Sequence, residues 1–398
     1  MKYDNQLRYA TEIIKAFAGG TPLHDWLKQY FKEHKQMGSR DRKQLSEMVY
    51  CFYRLGHAMK NHSTDERILV GLFLCNSSPV ELLSYFKPIW NDQIGQTLEH
   101  KTNILSQSSI AFDPANIFPW KDRLGDGIDH PALCNSFLHQ PDLFIRVRPG
   151  YEKTVLKKLQ DQSLPFEWIA PTTVRLPNGF KAELLFELNK EVVIQDLSSQ
   201  ETGGYFLPPD GSRPGHVKAW DCCAASGGKS ILLADQYRDL RLLVSDIRPA
   251  ILANLKKRFE AAGISTYDSL VLDLTKPVFN LESATVTLNR MAPFDLLLLD
   301  APCTGSGTWA RNPDELYFFN EGSIDRFSVL QRRIVSNTIF SLNRKGRLVY
   351  ITCSVFKKEN EAMVDYIQQT YRLKLERMEY FKGYELRADT MFAAAFSS

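Results

Sequence analysis

The sequence predicts an α/β protein: a doubly wound parallel sheet over residues 216–398, a small α/β unit over residues 141–215 and a helical domain over residues 1–140. Three observations predict it. Apolar strand-like runs alternate with helical stretches in the last part. Short strand-like runs punctuated by turn residues fill the middle. Apolar stripes at helical spacing mark the first part.

In the helical domain, Leu7, Ala10, Ile14 and Phe17 share one face, and Gly19-Gly20 stops that helix. Leu23, Trp26, Leu27, Tyr30 and Phe31 fall at i, i+3, i+4, i+7 and i+8, and Leu45, Met48, Val49, Phe52 and Tyr53 repeat the pattern. Such stripes mark a bundle core. Residues 141–215 change character: Leu143–Val147, Phe166–Ile169 and Thr173–Leu176 read as strands and Glu152–Gln160 as a helix. Pro149-Gly150 and Pro177-Asn178-Gly179 are turn signals. This unit is either an RNA-binding platform or a packing spacer. Arg146 and Arg148 would point to one face of its first strand. They would either neutralise phosphates or pair with nearby acids such as Asp142 or Glu152. From 216 onward the expected strands are Val217–Trp220, Leu240–Ser245, Ser269–Leu272, Phe294–Leu299 and Arg347–Ile351. Helices are expected at Pro249–Ala262, closed by Gly263, and at Ile324–Leu342.

The 398 residues are 44% hydrophobic and 24% charged, an ordinary globular balance, and the net charge of +3 permits nucleic-acid binding without requiring it. Seven cysteines, an odd number with no CxxC pair, point to a reducing compartment. Adjacent Cys222 and Cys223 suit neither a mutual disulfide nor a tetrahedral zinc site, so no metal is expected. Met1-Lys2-Tyr3-Asp4 lacks the regions of a signal peptide, and no apolar run has membrane-spanning length. The expectation is a cytoplasmic monomer without membrane attachment.

Open parallel sheets bind ligands beyond the carboxyl ends of their strands. Cys303, in Asp300-Ala301-Pro302-Cys303, and Cys353, in Thr352-Cys353-Ser354, follow such ends. Two thiols beside a carboxylate suggest covalent catalysis. Cys51, Cys75 and Cys134 fall on helical stretches and read as small buried hydrophobes. The segment Asp221-Cys222-Cys223-Ala224-Ala225-Ser226-Gly227-Gly228-Lys229-Ser230 joins the first strand of the large sheet to a helix, and its small residues permit close backbone approach. A phosphate loop would need glycine where Cys223 stands, and no GxGxxG is present, so a nucleoside without polyphosphate suits the loop. Asp246 ends the second strand, where an acid accepts hydrogen bonds from ribose hydroxyls. Its bland alternative is a helix cap with Arg248 as partner. Asp273 ends the third strand, near where an adenine would lie.

Asp221–Ser230, Asp300–Gly307, Thr352-Cys353-Ser354 and the following Glu359-Asn360-Glu361 together resemble the Sun/Nop2-type, Fmu-like RNA cytosine-5 methyltransferase family, on its bacterial rRNA branch. Val193–Gln200 resembles the short motif before that family's catalytic domain, and Asp389–Ala394 its terminal strand. The helical part, with Ser39-Arg40-Asp41-Arg42 before an apolar helix, is similar to a NusB-like domain. The resemblance implies a Rossmann-like S-adenosylmethionine-dependent methyltransferase domain and methyl transfer to carbon 5 of a cytosine in RNA through a covalent cysteine–cytosine intermediate. Ribosomal RNA is the implied partner, with transfer RNA the alternative. Cys353 would be the nucleophile, Cys303 would assist release, and Asp300 would bond ring nitrogen 3. Cofactor contacts would come from Cys223, Ala224, Ala225, Ser226, Gly227, Gly228, Lys229, Asp246, Arg248, Asp273 and Asp300. The family has proline where Ser226 stands, so the loop loses a fixed φ.

Three rivals stand beside this reading. A non-catalytic RNA-binding or ribosome-assembly factor could keep the methyltransferase fold. A cysteine–histidine hydrolase lacks a positioned base, since His216 alone falls in residues 216–398. Cys303 could itself be the nucleophile, as in the Pro-Cys motif of DNA cytosine methylation.

Overall fold

A computed structural model of the chain describes residues 2–162, 165–212, 215–277 and 282–398. These form two compact units: Met1–Leu124 with Asp129–Gln140 and Thr308–Asn320, and Gly125–Ile128 with Pro141–Gly307 and Glu321–Ser398.

The first unit is helical. Helices Tyr3–Ala16, Leu23–Glu33 and Ser39–Arg54 bury the stripes read from sequence: Leu7, Ala10 and Ile14; Leu23, Leu27 and Phe31; Leu45, Met48, Val49, Phe52 and Tyr53. The most apolar helix, Thr64–Cys75, is capped by Ser63, whose Oγ accepts from Glu66 N. Segment Thr308–Asn320 belongs to this unit although it follows the Cys303 loop in sequence. Its aromatic residues enter the helical core. Tyr317 meets Tyr53 edge-on at 5.2 Å, Phe318 meets Phe17 at 5.7 Å, and buried Arg54 donates to the Ala310 carbonyl at 2.9 Å.

The second unit holds two sheets. Strands β1 (Leu143–Val147), β2 (Glu167–Ala170), β3 (Thr173–Leu176) and β4 (Val192–Ile194) form an antiparallel sheet in the order β2-β3-β1-β4. Helix Glu152–Asp161 packs Val155 and Leu159 against Ile145, Val147, Val174 and Leu176. Arg146 and Arg148 do not offer their charge to phosphates. Arg146 is buried and donates to Asp235 at 2.5 Å and to Gln195 at 3.0 Å. Arg148 donates to the same carboxylate at 2.7 Å and to the carbonyls of Asn189 and Ala262. The ion-pair alternative holds, but the partner is Asp235 on helix Gly228–Gln236, not Asp142 or Glu152. Asp142 instead pairs with Arg175 and Arg387.

The large sheet contains β5 (Val217–Asp221), β6 (Leu240–Asp246), β7 (Tyr267–Val271), β8 (Phe294–Asp300), β9 (Leu342–Thr352), β10 (Lys374–Lys382) and β11 (Thr390–Ser397). Their order is β10-β11-β9-β8-β5-β6-β7. From β9 to β7 the neighbours run parallel, while β11 runs antiparallel to β9 and to β10. The sheet is therefore mixed, not wholly parallel. Strand order reverses between β5 and β8, which opens a crevice at their carboxyl ends. The apolar runs Leu296–Leu299 and Leu348–Ile351 are buried on both faces, as central strands require. Helix Pro249–Ala262 ends at Gly263 with φ 74°, a left-handed cap. Helix Gly322–Thr338 stops before the expected Leu342, where β9 already begins. No helix among the described residues is long and apolar enough to cross a membrane.

Candidate active site

Asp221 is the last residue of β5, and the chain then turns tightly into helix Gly228–Gln236. Ala224 N donates to Ser245 O at 2.9 Å, which ties the loop to β6. Ala225 has φ 46°, a left-handed conformation that costs a non-glycine residue about 1–3 kcal/mol. Its N–H donates to Asp246 Oδ2 at 3.1 Å, one bond that holds it there. Gly227 has φ 83°, and a Cβ there would lie 2.8 Å from the Phe259 ring, so glycine is required by conformation and by space.

Asp246 ends β6 and is bonded by Arg248 through its backbone N–H and guanidinium, at 2.9–3.1 Å. Burial opposes its charge, but these donors outweigh it and hold the carboxyl below the usual range. Asp273 stands two residues beyond β7. It accepts from Thr275 N and Oγ1 at 3.1 and 2.6 Å, and the Thr275 hydroxyl is the main cause of its lowered pKa.

Asp300 ends β8, opposite Ile351 of β9. The ladder continues past both strand ends, with Ala301 N on Ile351 O and Gly307 N on Cys353 O, each at 2.8 Å. A Cβ on Gly307 would collide with the Thr390 carbonyl. The two loops thus emerge side by side, and Cys303 Sγ lies 3.4 Å from Cys353 Sγ. The hydrogen bond to Cys353, reinforced by burial, pushes the Cys303 thiol well above its ordinary pKa. Lys229 Nζ bonds Asp300 Oδ2 at 2.8 Å. Burial opposes the ammonium, but the Asp300 charge and hydrogen bond outweigh it and raise its pKa.

Fully buried Glu359 joins the two cysteine loops. It accepts from Thr304 N at 2.9 Å, Thr304 Oγ1 at 2.6 Å and Gln331 Nε2 at 3.2 Å, and also from Ser354 Oγ. Thr304 follows Cys303 and Ser354 follows Cys353, so one carboxylate fixes the neighbours of both thiols. Burial raises its pKa against the pull of these donors.

A cavity of about 400 Å³ opens over the carboxyl ends of the strands. Of the residues singled out from sequence, Cys223, Ala225, Asp246, Arg248, Asp273, Asp300, Cys303 and Cys353 line it. Ala224, Ser226, Gly227, Gly228 and Lys229, also expected to contact a cofactor, are not among its lining residues. Ser226 turns to Arg258, and Lys229 reaches it through Asp300. The sequence reading missed the apolar wall of Ile247, Leu272, Leu274, Leu330 and Ile334. Ile247 carried a usable signal, an apolar side chain directly after a strand-ending acid that remains 57% exposed. Leu330 and Ile334 carried none, since helix stripes are read as core. Glu359 was noticed as part of a motif but not as a link between loops.

Residues 213–394 match the model of the 16S rRNA methyltransferase RsmB/F family. The chain is 30% identical to ribosomal RNA small subunit methyltransferase B of Xanthomonas campestris over 182 residues, 45% of this chain and 39% of that protein. It is 29% identical to ribosomal RNA small subunit methyltransferase F of Escherichia coli over 202 residues, 49% of this chain and 38% of that one. The chain spans about half the length, or less, of the curated relatives it matches; for methyltransferase B of Pasteurella multocida the share is 53%. The crystal structure of PH0851 superposes with a TM-score of 0.71 at 20% identity, covering 100% of this chain and 99% of its own. NSun6 from Pyrococcus horikoshii, solved with SFG, gives 0.53 at 16% identity over 81% and 98%. These two likenesses are of fold, and the parallel part of the large sheet has the Rossmann-like strand order.

Proposed function

We propose that this chain transfers a methyl group from S-adenosylmethionine to carbon 5 of a cytosine in RNA, with ribosomal RNA as substrate. The observation that carries the reading is the pair of thiols 3.4 Å apart beside Asp300 in the cavity that Asp246 and Asp273 also line. Its volume of about 400 Å³ lies in the range of small-ligand sites. Asp246 offers acceptors for ribose hydroxyls, Asp273 faces the adenine end, and Ile247 and Leu272 supply an apolar flank. S-adenosylmethionine supplies the electrophilic methyl group.

Carbon 5 of cytosine is a poor nucleophile. Attack of the Cys353 thiolate at carbon 6 makes a cysteine–cytosine bond and shifts an electron pair toward carbon 5 and ring nitrogen 3. That nitrogen gains basicity and takes a proton that Asp300 relays from the Lys229 ammonium, and the proton returns the same way when the ring is restored. The Cys303 thiol, pushed up by its hydrogen bond to Cys353 and by burial, keeps its proton beside the attacking sulfur. After methylation the carbon 5 proton passes to water, the electrons of the broken carbon–hydrogen bond reform the carbon 5–carbon 6 double bond, and the carbon 6–sulfur bond breaks to release the Cys353 thiolate. Cys303 assists by donating its thiol hydrogen bond to that leaving sulfur.

The target cytosine must leave its stack to reach the cavity. Recognition of the surrounding RNA then falls to the segments before residue 216, the helical domain and the small α/β unit. A ribosomal RNA substrate would place the chain in the cytoplasm. The test is labelled methyl incorporation into RNA from S-adenosylmethionine, followed by bisulfite sequencing. Label at a single protected cytosine is expected. Absence of incorporation into ribosomal RNA, free or within particles, would favour the non-catalytic assembly factor.

A further inference from the structure

The loop that carries Ala225 and Gly227 in left-handed conformations has serine between them, a residue without the fixed φ of proline. Its restraint comes from elsewhere. Arg258, half-buried on helix Pro249–Ala262, donates through one guanidinium nitrogen to Ser226 Oγ at 2.7 Å and to Ser226 O at 3.0 Å. Through Nε it donates to Asn189 Oδ1 at 2.9 Å. Asn189 is itself fixed, with φ 66° and its carbonyl accepting from Arg148 at 2.9 Å. Arg148 and Arg146 close on Asp235, which sits on the helix that begins at the loop. Gly227 in the loop packs on Leu255, one turn before Arg258, and on Phe259, the residue after it. Three fixed points around Ser226 therefore converge on one guanidinium: the helix it stands on, Asn189 and the loop itself.

We propose that Arg258 is a positioning residue for the cofactor loop, holding Ser226 so that Ala225 N–H stays on Asp246 and the loop backbone keeps the shape a nucleoside needs. Arg258 is absent from the cavity wall, so it acts through Ser226 and touches no reacting atom. A planar fork suits this task, because one nitrogen can serve Ser226 while another serves Asn189. The proposal rests on the assignment of S-adenosylmethionine to this cavity.

The experiment compares the full chain with R258M, S226A and the double variant. Calorimetry with S-adenosylmethionine should show affinity about tenfold weaker in R258M, the effect of one charge-assisted hydrogen bond. In methyl transfer, KM for S-adenosylmethionine should rise while kcat stays within about twofold, since uniform binding alone is lost. S226A should weaken binding less, because the Ser226 carbonyl remains, and the double variant should be no worse than R258M. Additive losses, or wild-type affinity in R258M, would overturn the proposal. Hydrogen exchange of the Ala225–Gly228 amides decides independently: faster exchange there, with the rest of the sheet unchanged, is expected in R258M and S226A. If the wild-type protein takes up no S-adenosylmethionine, the cofactor assignment fails, and unchanged loop exchange in both variants would still refute the role of Arg258.

Discussion

Cys303 and Cys353 are 50 residues apart in sequence, yet their sulfurs lie 3.4 Å apart. The ladder bonds Ala301 N to Ile351 O and Gly307 N to Cys353 O set that distance from the strands. Glu359 then fixes the loops. In the reaction proposed above, such a pair would act on one carbon–carbon double bond, one sulfur bonded to the ring and the other beside it.

Glu359→Gln keeps the size of the side chain but replaces one accepting oxygen with a donor. Thr304 N–H and Gln331 N–H, or the two hydroxyls, then lose their partner. Methyl transfer should fall about 100-fold, the cost of misplacing reacting groups by a fraction of a bond length. S-adenosylmethionine affinity should stay within about twofold, since Glu359 does not line the cavity. Single-turnover kinetics with parallel calorimetry separates the two. A fall in affinity as large as the fall in rate would contradict the positioning role.

Asp246→Ala removes the acceptor proposed for ribose and leaves Arg248 and Ala225 N–H without their partner. Cofactor binding should weaken by about 1–3 kcal/mol. Wild-type affinity by calorimetry would remove Asp246 from the site and leave it a cap for helix Pro249–Ala262.

Replacing Arg146 and Arg148 by alanine should act on stability. The Asp235 carboxylate would stay buried with both cations gone, a loss of about 3–5 kcal/mol for a broken buried pair. Thermal unfolding should show this. The salt dependence of RNA binding by the folded fraction should not change, because these guanidiniums are not free for phosphates. A flattened salt slope with unchanged stability would restore them as RNA contacts.

Asp221 gives a pH dependence. Burial pushes its carboxyl up to about 7 against the hydrogen bond from Ser230, and the nearby Asp300 charge adds to the rise. A carboxyl raised on folding favours the native state while protonated. Its contribution is fully present below the unfolded value of about 3.9 and is lost as pH rises through about 7. Asp221→Asn removes that loss. The unfolding free energy of the variant relative to wild type should therefore increase from pH 5 to pH 8, by an amount on the order of 2–4 kcal/mol at most. The same difference at both pH values would show that Asp221 does not titrate there.

What was legible in the sequence follows from where the information is local. Buried parallel strands need continuous apolar runs, so β8 and β9 could be read directly, with Asp300 at the end of one and Cys353 just past the other. Edge strand β10 has neighbours on one side alone, and its Lys-Leu-Glu-Arg-Met-Glu sequence hides it among charged surface segments. The pairing of Arg146 and Arg148 with Asp235 was illegible because its partners come from distant segments, and a charge on a helix gives no sign of what it meets. Thr308–Asn320 carried a clue that went unused: Trp309, Tyr317, Phe318 and Phe319 are more aromatic than a connecting loop needs, and they enter the helical core.

The division of labour between the two thiols is the centre of the account, and a denaturing gel with labelled RNA and S-adenosylmethionine tests it most directly. Cys303→Ala should trap a covalent protein–RNA band, because attack by Cys353 proceeds and release is blocked. Cys353→Ala should give neither band nor methyl transfer. A band from Cys353→Ala but not from Cys303→Ala would contradict the assignment and make Cys303 the nucleophile.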